Sequence, residues 1–349
     1  MERLSANEAT KLDSLFGKVG KTVIVSHTRP DGDAAGSCVA MKRFLDDNYG
    51  GEHLIVLDNA VNVAVNFLFE YGGVPVYFDK EPAAAGKALS DAGLIICLDV
   101  SGPARTGCLE KFIRASSAPK ILFDHHLSPE TEIFTTLISC TEVSSTCELL
   151  YDSLLKMPQI AGSTSRLSLE CLTALMTGIT TDTNNFGNSV FPGTLEAVAG
   201  MLAAGVDREA IVNHVFNEYR ENRIRLMGHL LASVMKITEN GVAYIVLSGE
   251  TSRKYDIMEG ELEGIVNMPL AIKSVRMSIF VREDEGFLRV SIRSKRGTSA
   301  NGIAVKYFNG GGHELASGGK LFWPKDIARK EDAEDYIRKV TGEYFRNES

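Results

Sequence analysis

No apolar run in this chain approaches the roughly 18 residues that a membrane-spanning helix needs. The start, Met1-Glu2-Arg3-Leu4-Ser5, lacks the apolar core of a signal peptide, so neither membrane insertion nor export is expected. Cysteine is sparse: Cys38, Cys97, Cys108, Cys140, Cys147 and Cys171 include no CxxC pair. They read as reduced, mostly buried thiols, and the expected compartment is the cytoplasm. Excess positive charge is missing as well. Lys plus Arg number 37 against 45 Asp plus Glu, a net charge of -8, so the chain is not expected to coat long duplex DNA. Internal repeats and low-complexity segments are absent. What remains is ordinary globular composition, 44% hydrophobic and 23% charged. At 349 residues the chain is too long for one ordinary core and suits two domains.

Short β-branched runs at 22–26, 53–58, 74–78, 94–98 and 120–123 alternate with helical stretches such as 34–49 and 103–115. Runs that are apolar on both faces, separated by helix-length crossovers, predict a parallel α/β sheet. From about 144 the pattern turns helical. The stretch 167–180 is apolar with small residues, and Pro192 and Gly205 bracket a further helix as N1 and C′ residues do. The stretch 219–236 begins charged and becomes apolar, as a helix linking two domains does. Strand signals return at 242–247, 274–281 and 287–293, followed by a glycine cluster. The expected class is α/β. A parallel-sheet domain over 1–235, helical linker included, joins a smaller α/β domain over 236–349, with the active site in the cleft between them.

Ligands of open α/β sheets bind outside the carboxyl ends of the strands. There the first strand gives way to Ser26-His27-Thr28-Arg29-Pro30-Asp31-Gly32-Asp33, the fourth ends in Cys97-Leu98-Asp99, and the fifth in Phe123-Asp124-His125-His126. Asp182 closes the apolar helix. Each has a bland reading: Asp31-Gly32-Asp33 as a turn and helix cap, Asp99 as a cap for a helix after Gly102, Asp182 as a solvated helix end. His125-His126 has no packing advantage after a buried strand. Aspartates and histidines converging on one sheet edge make separate capping explanations coincide too often. Ionised carboxylates 4 Å apart repel by about 4 kcal/mol at an effective dielectric near 20. Two divalent ions would neutralise four of them and leave room for one bridging hydroxide, an arrangement suited to phosphate-ester hydrolysis. Mixed imidazole and carboxylate donors favour manganese, cobalt or zinc over magnesium.

At this point the residues resemble a known family. His27-xxx-Asp31-x-Asp33, Asp99, Asp124-His125-His126 and Asp182 are similar to the four motifs of the DHH phosphoesterases. Ser291-Ile292-Arg293-Ser294-Lys295 and Phe308-Asn309-Gly310-Gly311-Gly312-His313 resemble the C-terminal DHH-associated domain of the subfamily that cuts short nucleotides. That subfamily holds nanoRNases (oligoribonucleases) and 3′-phosphoadenosine 5′-phosphate (pAp) phosphatases. The resemblance implies that His27 and Asp31 hold one metal ion, that Asp33, His125 and Asp182 hold a second, and that Asp99 bridges them. It implies that His126 meets the substrate phosphate or protonates the leaving oxygen, and that Asp124 orients an imidazole. Arg293, Ser294, Lys295, Gly310, Gly311, Gly312 and His313 are the implied substrate-binding residues. Where the family often carries an Arg-Phe pair after Asp-Thr, this chain reads Asn184-Asn185-Phe186.

The implied activity is manganese-type hydrolysis of short 5′-phosphorylated oligoribonucleotides to mononucleotides, with pAp as a second substrate. Cobalt or magnesium are the substitute ions. The partners expected are short single-stranded RNA or nucleotides, with no membrane; a homodimer stays open, since family members often form one. Cleavage of cyclic di-AMP or pApA needs the same metals and phosphate handles and stays open. A nucleotide sensor without catalysis is the competing class, although such relatives usually lose a metal ligand and every position is filled here.

Overall fold

The computed structural model describes residues 4–258, 260–312 and 314–346. The chain divides at 218/219 into two units. In the first, the elements run α1 (Ala6–Phe16), β1 (Lys21–Val25), α2 (Gly32–Asn48), β2 (Glu52–Leu57), α3 (Phe69–Gly72), β3 (Val76–Tyr77), α4 (Pro82–Ser90), β4 (Leu94–Leu98), α5 (Glu110–Ala115), β5 (Lys120–Asp124), β6 (Thr136–Ser139), α6 (Thr146–Leu155), α7 (Leu169–Asp182), α8 (Pro192–Ala203) and α9 (Arg208–Val212).

The strands form one six-stranded sheet in the order β3-β2-β1-β4-β5-β6, parallel throughout. Side chains alternate across it. Ile24, Ile96 and Ile121 pack with Cys38, Met41 and Leu175 of α2 and α7. Val23, Cys97 and Leu122 pack on the other face with Ala85, Leu89 and Ile113 of α4 and α5. Helices on both faces explain why the runs are apolar throughout rather than alternating. Successive strands leave β1 in opposite directions, β2 and β3 to one side and β4 to β6 to the other. That reversal opens a crevice at the carboxyl ends of β1 and β4.

Small residues bring two helices together beneath this crevice. A Cβ on Gly36 of α2 would stand 2.5 Å from the Ala174 carbonyl oxygen of α7, and one on Gly32 would stand 2.3 Å from Thr181 Oγ1. Higher numbers on one helix meet lower numbers on the other, so the two run antiparallel, and the start of α2 meets the end of α7. Two sequence expectations change in this unit. The helix expected over 103–115 is a 3-10 turn over Pro103–Leu109 followed by α5, because Gly107 takes a left-handed φ of 63°. A Cβ there would meet Thr28 and Asp58. The short strand β6 was not anticipated.

The second unit holds α10 (Glu221–His229), β7 (Lys236–Ile237), β8 (Val242–Leu247), α11 (Gly249–Lys254), β9 (Met277–Asp284), β10 (Phe287–Ser294), α12 (Ala300–Tyr307), β11 (Gly311–Gly312), β12 (Ala316–Leu321) and α13 (Ala333–Arg346). Its six strands lie in the order β11-β12-β10-β9-β8-β7, with only β8 and β9 parallel. The expected boundary near 235 set the helix over 219–236 with the first domain, whereas the units divide ahead of it. Packing is the reason: Leu226 and Leu230 bury against Ile245, Leu247 and Phe280 of the second sheet. Arg223 adds guanidinium bonds of 2.7 Å to the carbonyls of Glu261 and Glu263. Among the described residues no helix is long and apolar enough to cross a membrane.

Candidate metal centre

The crevice between β1 and β4 gathers the polar residues that the sequence places at strand ends. His27 follows β1, Asp99 follows β4, and Asp124 ends β5 with His125 and His126 directly after it. Asp31 and Asp33 open α2, and the antiparallel α2–α7 contact carries Asp182 to them. Three groups result whose ligand atoms all lie within 4.8 Å of one another: His27, Asp31 and Asp99; Asp33, His125 and Asp182; and Asp99, His125 and His126.

Asp99 stands between the first two groups. Its Oδ2 is 3.3 Å from His27 Nε2, while its Oδ1 is 3.6 Å from both His125 Nε2 and His126 Nδ1. Its backbone takes a φ of 55°, a left-handed conformation that costs a non-glycine residue roughly 1–3 kcal/mol and that clusters at functional sites. The capping alternative does not hold for Asp99, since the 3-10 turn after Gly102 has no side-chain cap. It does hold for Asp31, whose Oδ1 accepts from the amides of Asp33 and Ala34 at 3.1 Å each and still lies 3.9 Å from His27 Nε2. Asp182 Oδ2 is 3.6 Å from His125 Nε2.

The supporting bonds set the imidazoles. His27 Nδ1 lies 2.9 Å from the Thr28 carbonyl, so that nitrogen carries the proton and donates, leaving Nε2 to face Asp99. His126 Nδ1 donates to Asp124 Oδ1 at 2.7 Å. The other oxygen of Asp124 is buried without a hydrogen-bond partner among the described residues.

Electrostatics record the crowding. Burial, and then the charges of Asp99 and Asp31, push Asp33 well above the usual carboxylate range. Burial and the charges of Asp33, Asp31 and Asp99 do the same to Asp182. Burial disfavours the charge on His27, yet the Asp99 hydrogen bond and the charges of Asp99 and Asp31 outweigh it and hold the imidazole at about 9. Asp99 is the converse case: burial would raise it, but the bond to His27 and the charges of three histidines hold it below the usual range. Burial pulls His125 down. Carboxylates forced toward protonation beside imidazoles with a directed Nε2 are what a divalent cation relieves, so the donor set fits a pair of such ions.

Sequence reasoning missed the residues behind the carboxylates. Asp33 accepts from the amides of Thr146 and Cys147 at 2.7 and 2.9 Å, and Thr146 Oγ1 donates to Asp99 Oδ1 at 3.1 Å. A signal existed: Ser145-x-x-Glu148 is a capping pattern, and Ser145 does cap α6. An arginine from another element lies beside the departure at Asn184-Asn185-Phe186. Arg208 of α9 bonds to Asn185 and lies 5.1 Å over the Phe186 ring.

The expected substrate residues lie in the second unit. β10 alternates, so Arg293 and Ser294 point to opposite faces. The Arg293 guanidinium donates to the Ile292 carbonyl of its own strand, and burial lowers its proton affinity. Ser294 Oγ donates to the Thr298 carbonyl and Lys295 Nζ to that of Ile272. A Cβ on Gly310 would lie 1.9 Å from the Gly318 carbonyl, and Gly312 has a φ of 147°, so close packing against β12 already requires glycine at both. Gly311 is free of that constraint. His313 lies outside the described residues.

Fold and site together define a two-unit α/β protein with a carboxylate–imidazole centre at the reversal point of a parallel sheet. A family model described as the DHH family, N-terminal domain, matches residues 21–179, and a DHHA1 domain model matches 239–341. The chain belongs to the DHH family. A solved structure, an exopolyphosphatase-related protein from Bacteroides fragilis, is 32% identical with a TM-score of 0.89, covering 99% of this chain and 98% of that one. The bifunctional oligoribonuclease and PAP phosphatase NrnA of Bacillus subtilis (strain 168) is 27% identical over 304 residues, 86% of this chain and 89% of that protein. The cyclic-di-AMP phosphodiesterase GdpP of Geobacillus thermodenitrificans (strain NG80-2) is 24% identical over 347 residues, which are 96% of this chain and 49% of GdpP.

Proposed function

We propose that this chain hydrolyses short 5′-phosphorylated oligoribonucleotides to mononucleotides and removes the 3′-phosphate of pAp, using two divalent ions, manganese foremost. The observation that carries the reading is Asp99, whose two oxygens face different ligand groups in the crevice. Similarity to NrnA along most of both chains supports the substrate class. When bound, the ions supply charge neutralisation and an acidified water for attack on phosphorus.

The chain's own residues do the rest. His27 and Asp31 hold one side of the centre, and Asp33, His125 and Asp182 hold the other, with Asp99 common to both. His126 is assigned to the substrate phosphate or the leaving oxygen. Asp124 fixes its ring and stabilises the imidazolium that proton donation requires. In the second unit, Arg293 is assigned to a phosphate or base of the substrate, because no carboxylate pairs with it among the described residues. Gly311, where packing does not itself demand glycine, and His313 are assigned beside it. Lys295 and Ser294 are assigned to hold the turn that carries Arg293.

The test is a manganese titration against three substrates in parallel: a 5′-phosphorylated RNA dinucleotide, pAp and cyclic di-AMP. Metal-dependent release of mononucleotides from the dinucleotide, and AMP from pAp, is the expected result. Asp99→Ala is expected to lower turnover by about 10³-fold or more, since a shared ligand carries several kcal/mol of transition-state charge stabilisation. Preferred cleavage of cyclic di-AMP would move the protein to the activity named for GdpP. Nucleotide bound tightly and recovered intact would make it a sensor.

A further inference from the structure

Ser144, Thr146 and Glu148 are buried beside the centre, and the proposed chemistry leaves all three unused. They belong to the start of α6, which Ser145 caps by accepting from the Glu148 amide at 3.1 Å. The first two amides of that helix bind the two oxygens of Asp33, at 2.7 and 2.9 Å. Asp33 therefore sits where a helix N-terminus best tolerates an anion. The Thr146 hydroxyl turns instead to Asp99 Oδ1, at 3.1 Å. One residue thus touches both carboxylates, by its amide and by its side chain.

Thr146 is itself held from behind. Glu148 is 1% exposed, and of its two oxygens Oε1 is buried without a hydrogen-bond partner among the described residues. Its Oε2 accepts from the Ser144 amide at 2.8 Å, the Ser144 hydroxyl at 2.6 Å and the Thr194 hydroxyl at 2.6 Å. Those bonds tie the residue ahead of the cap to the start of α8, and they fix the loop from which Thr146 reaches.

We propose that Thr146 is a positioning residue of the metal centre, setting the rotation of the Asp99 carboxylate so that each oxygen serves a different ion. The inference rests on the reading that Asp99 is shared by two ions. A carboxylate among three imidazoles has several rotations of similar electrostatic merit, and a single donor on Oδ1 selects one of them. Glu148 is the anchor of that donor.

The test uses the full chain and manganese alone. Thr146→Val keeps the shape and removes the hydroxyl; Thr146→Ser keeps the hydroxyl and removes a methyl. Calorimetric titration of the chelator-treated protein gives the ion affinity, and melting in chelator gives the stability without metal. Thr146→Val is expected to weaken manganese binding by about 10–100-fold, as loss of an outer partner of a ligand does. Turnover should fall at saturating manganese with KM little changed, and Thr146→Ser should restore the wild-type affinity. If Thr146→Val lowers only the melting point in chelator and binds manganese as the wild type does, the role is structural and the proposal is overturned. Should that variant not fold, Thr146→Ala is read by the same two measurements. Wild-type protein that binds no manganese overturns the metal reading itself, before any variant is compared.

Discussion

Asp31 shows how one residue can satisfy two readings that look like alternatives. Its carboxylate caps α2 through the amides of Asp33 and Ala34, and the same cap holds it beside His27. Capping and ligation are therefore compatible, and the strand-end residues of the centre could be read from sequence because each follows an identifiable apolar run. Thr146 could not be read that way. Its bond to Asp99 joins positions 47 apart, and its amide reaches Asp33 across 113 residues, so no local pattern announces the pairing. The cysteines were legible as a class. Five are buried and Cys108 is exposed. Burial pushes the Cys38 and Cys147 thiols far up, while the Asp58 carboxylate raises the exposed Cys108. A thiol reagent near neutral pH is therefore expected to modify Cys108 first, and slowly for an exposed thiol, since the thiolate is the reactive form. Mass spectrometry of the native protein checks this; rapid modification of several thiols would contradict the burial.

At the scale of elements, the centre depends on how closely α2 and α7 approach. The apolar, small-residue character of α7 was visible in the sequence, but its partner was not, because Gly36 is as ordinary in a helix pattern as any other glycine. The contact gives it meaning. On propensity alone Gly36→Ala should stabilise α2 by roughly 1 kcal/mol. The added methyl, however, would stand 2.5 Å from a backbone carbonyl, which cannot rotate away as a side-chain tip can. Overpacking of this kind costs typically about 1–3 kcal/mol, so the expected net effect is destabilisation by up to about 2 kcal/mol. Urea unfolding in chelator measures it. Because the same shift moves Asp33 away from Asp182, manganese affinity should fall as well. A variant more stable than wild type would show that the helices do not meet as closely as this. Short elements were harder to read for the opposite reason. The four-residue β6 and the turn broken at Gly107 are fixed by neighbours rather than by their own pattern.

For the whole molecule, the centre stores electrostatic energy that metal ions release, and pH shows the sign. The two-unit division was legible from where strand signals resume, although the helix after 219 follows its packing rather than its charge pattern. Within the first unit, metal-free Asp33 and Asp182 have affinities for protons raised by burial and by neighbouring carboxylates. Above the unfolded value near 4, the native state holds protons that the unfolded chain has lost, so stability falls as pH rises through that window. His27 acts in the same direction. Raised to about 9, it adds stability that is complete below its unfolded value of 6.5 and lost as pH rises through the folded one. Asp99 opposes them only in acid, because its lowered carboxyl loses its contribution as pH falls below the usual carboxylate range. His125, lowered by burial, opposes them below its unfolded value of 6.5, so the chelated protein should melt at progressively lower temperature from about pH 7 to about pH 9. Divalent ions displace those same protons, so their affinity rises over the range in which the metal-free protein weakens. The increase in melting temperature on adding manganese is thus expected to widen with pH. Melts at three pH values, with chelator and with saturating manganese, check the sign. An increment that stays constant, or shrinks toward alkaline pH, would mean that the carboxylates of the crevice are not what the ions neutralise.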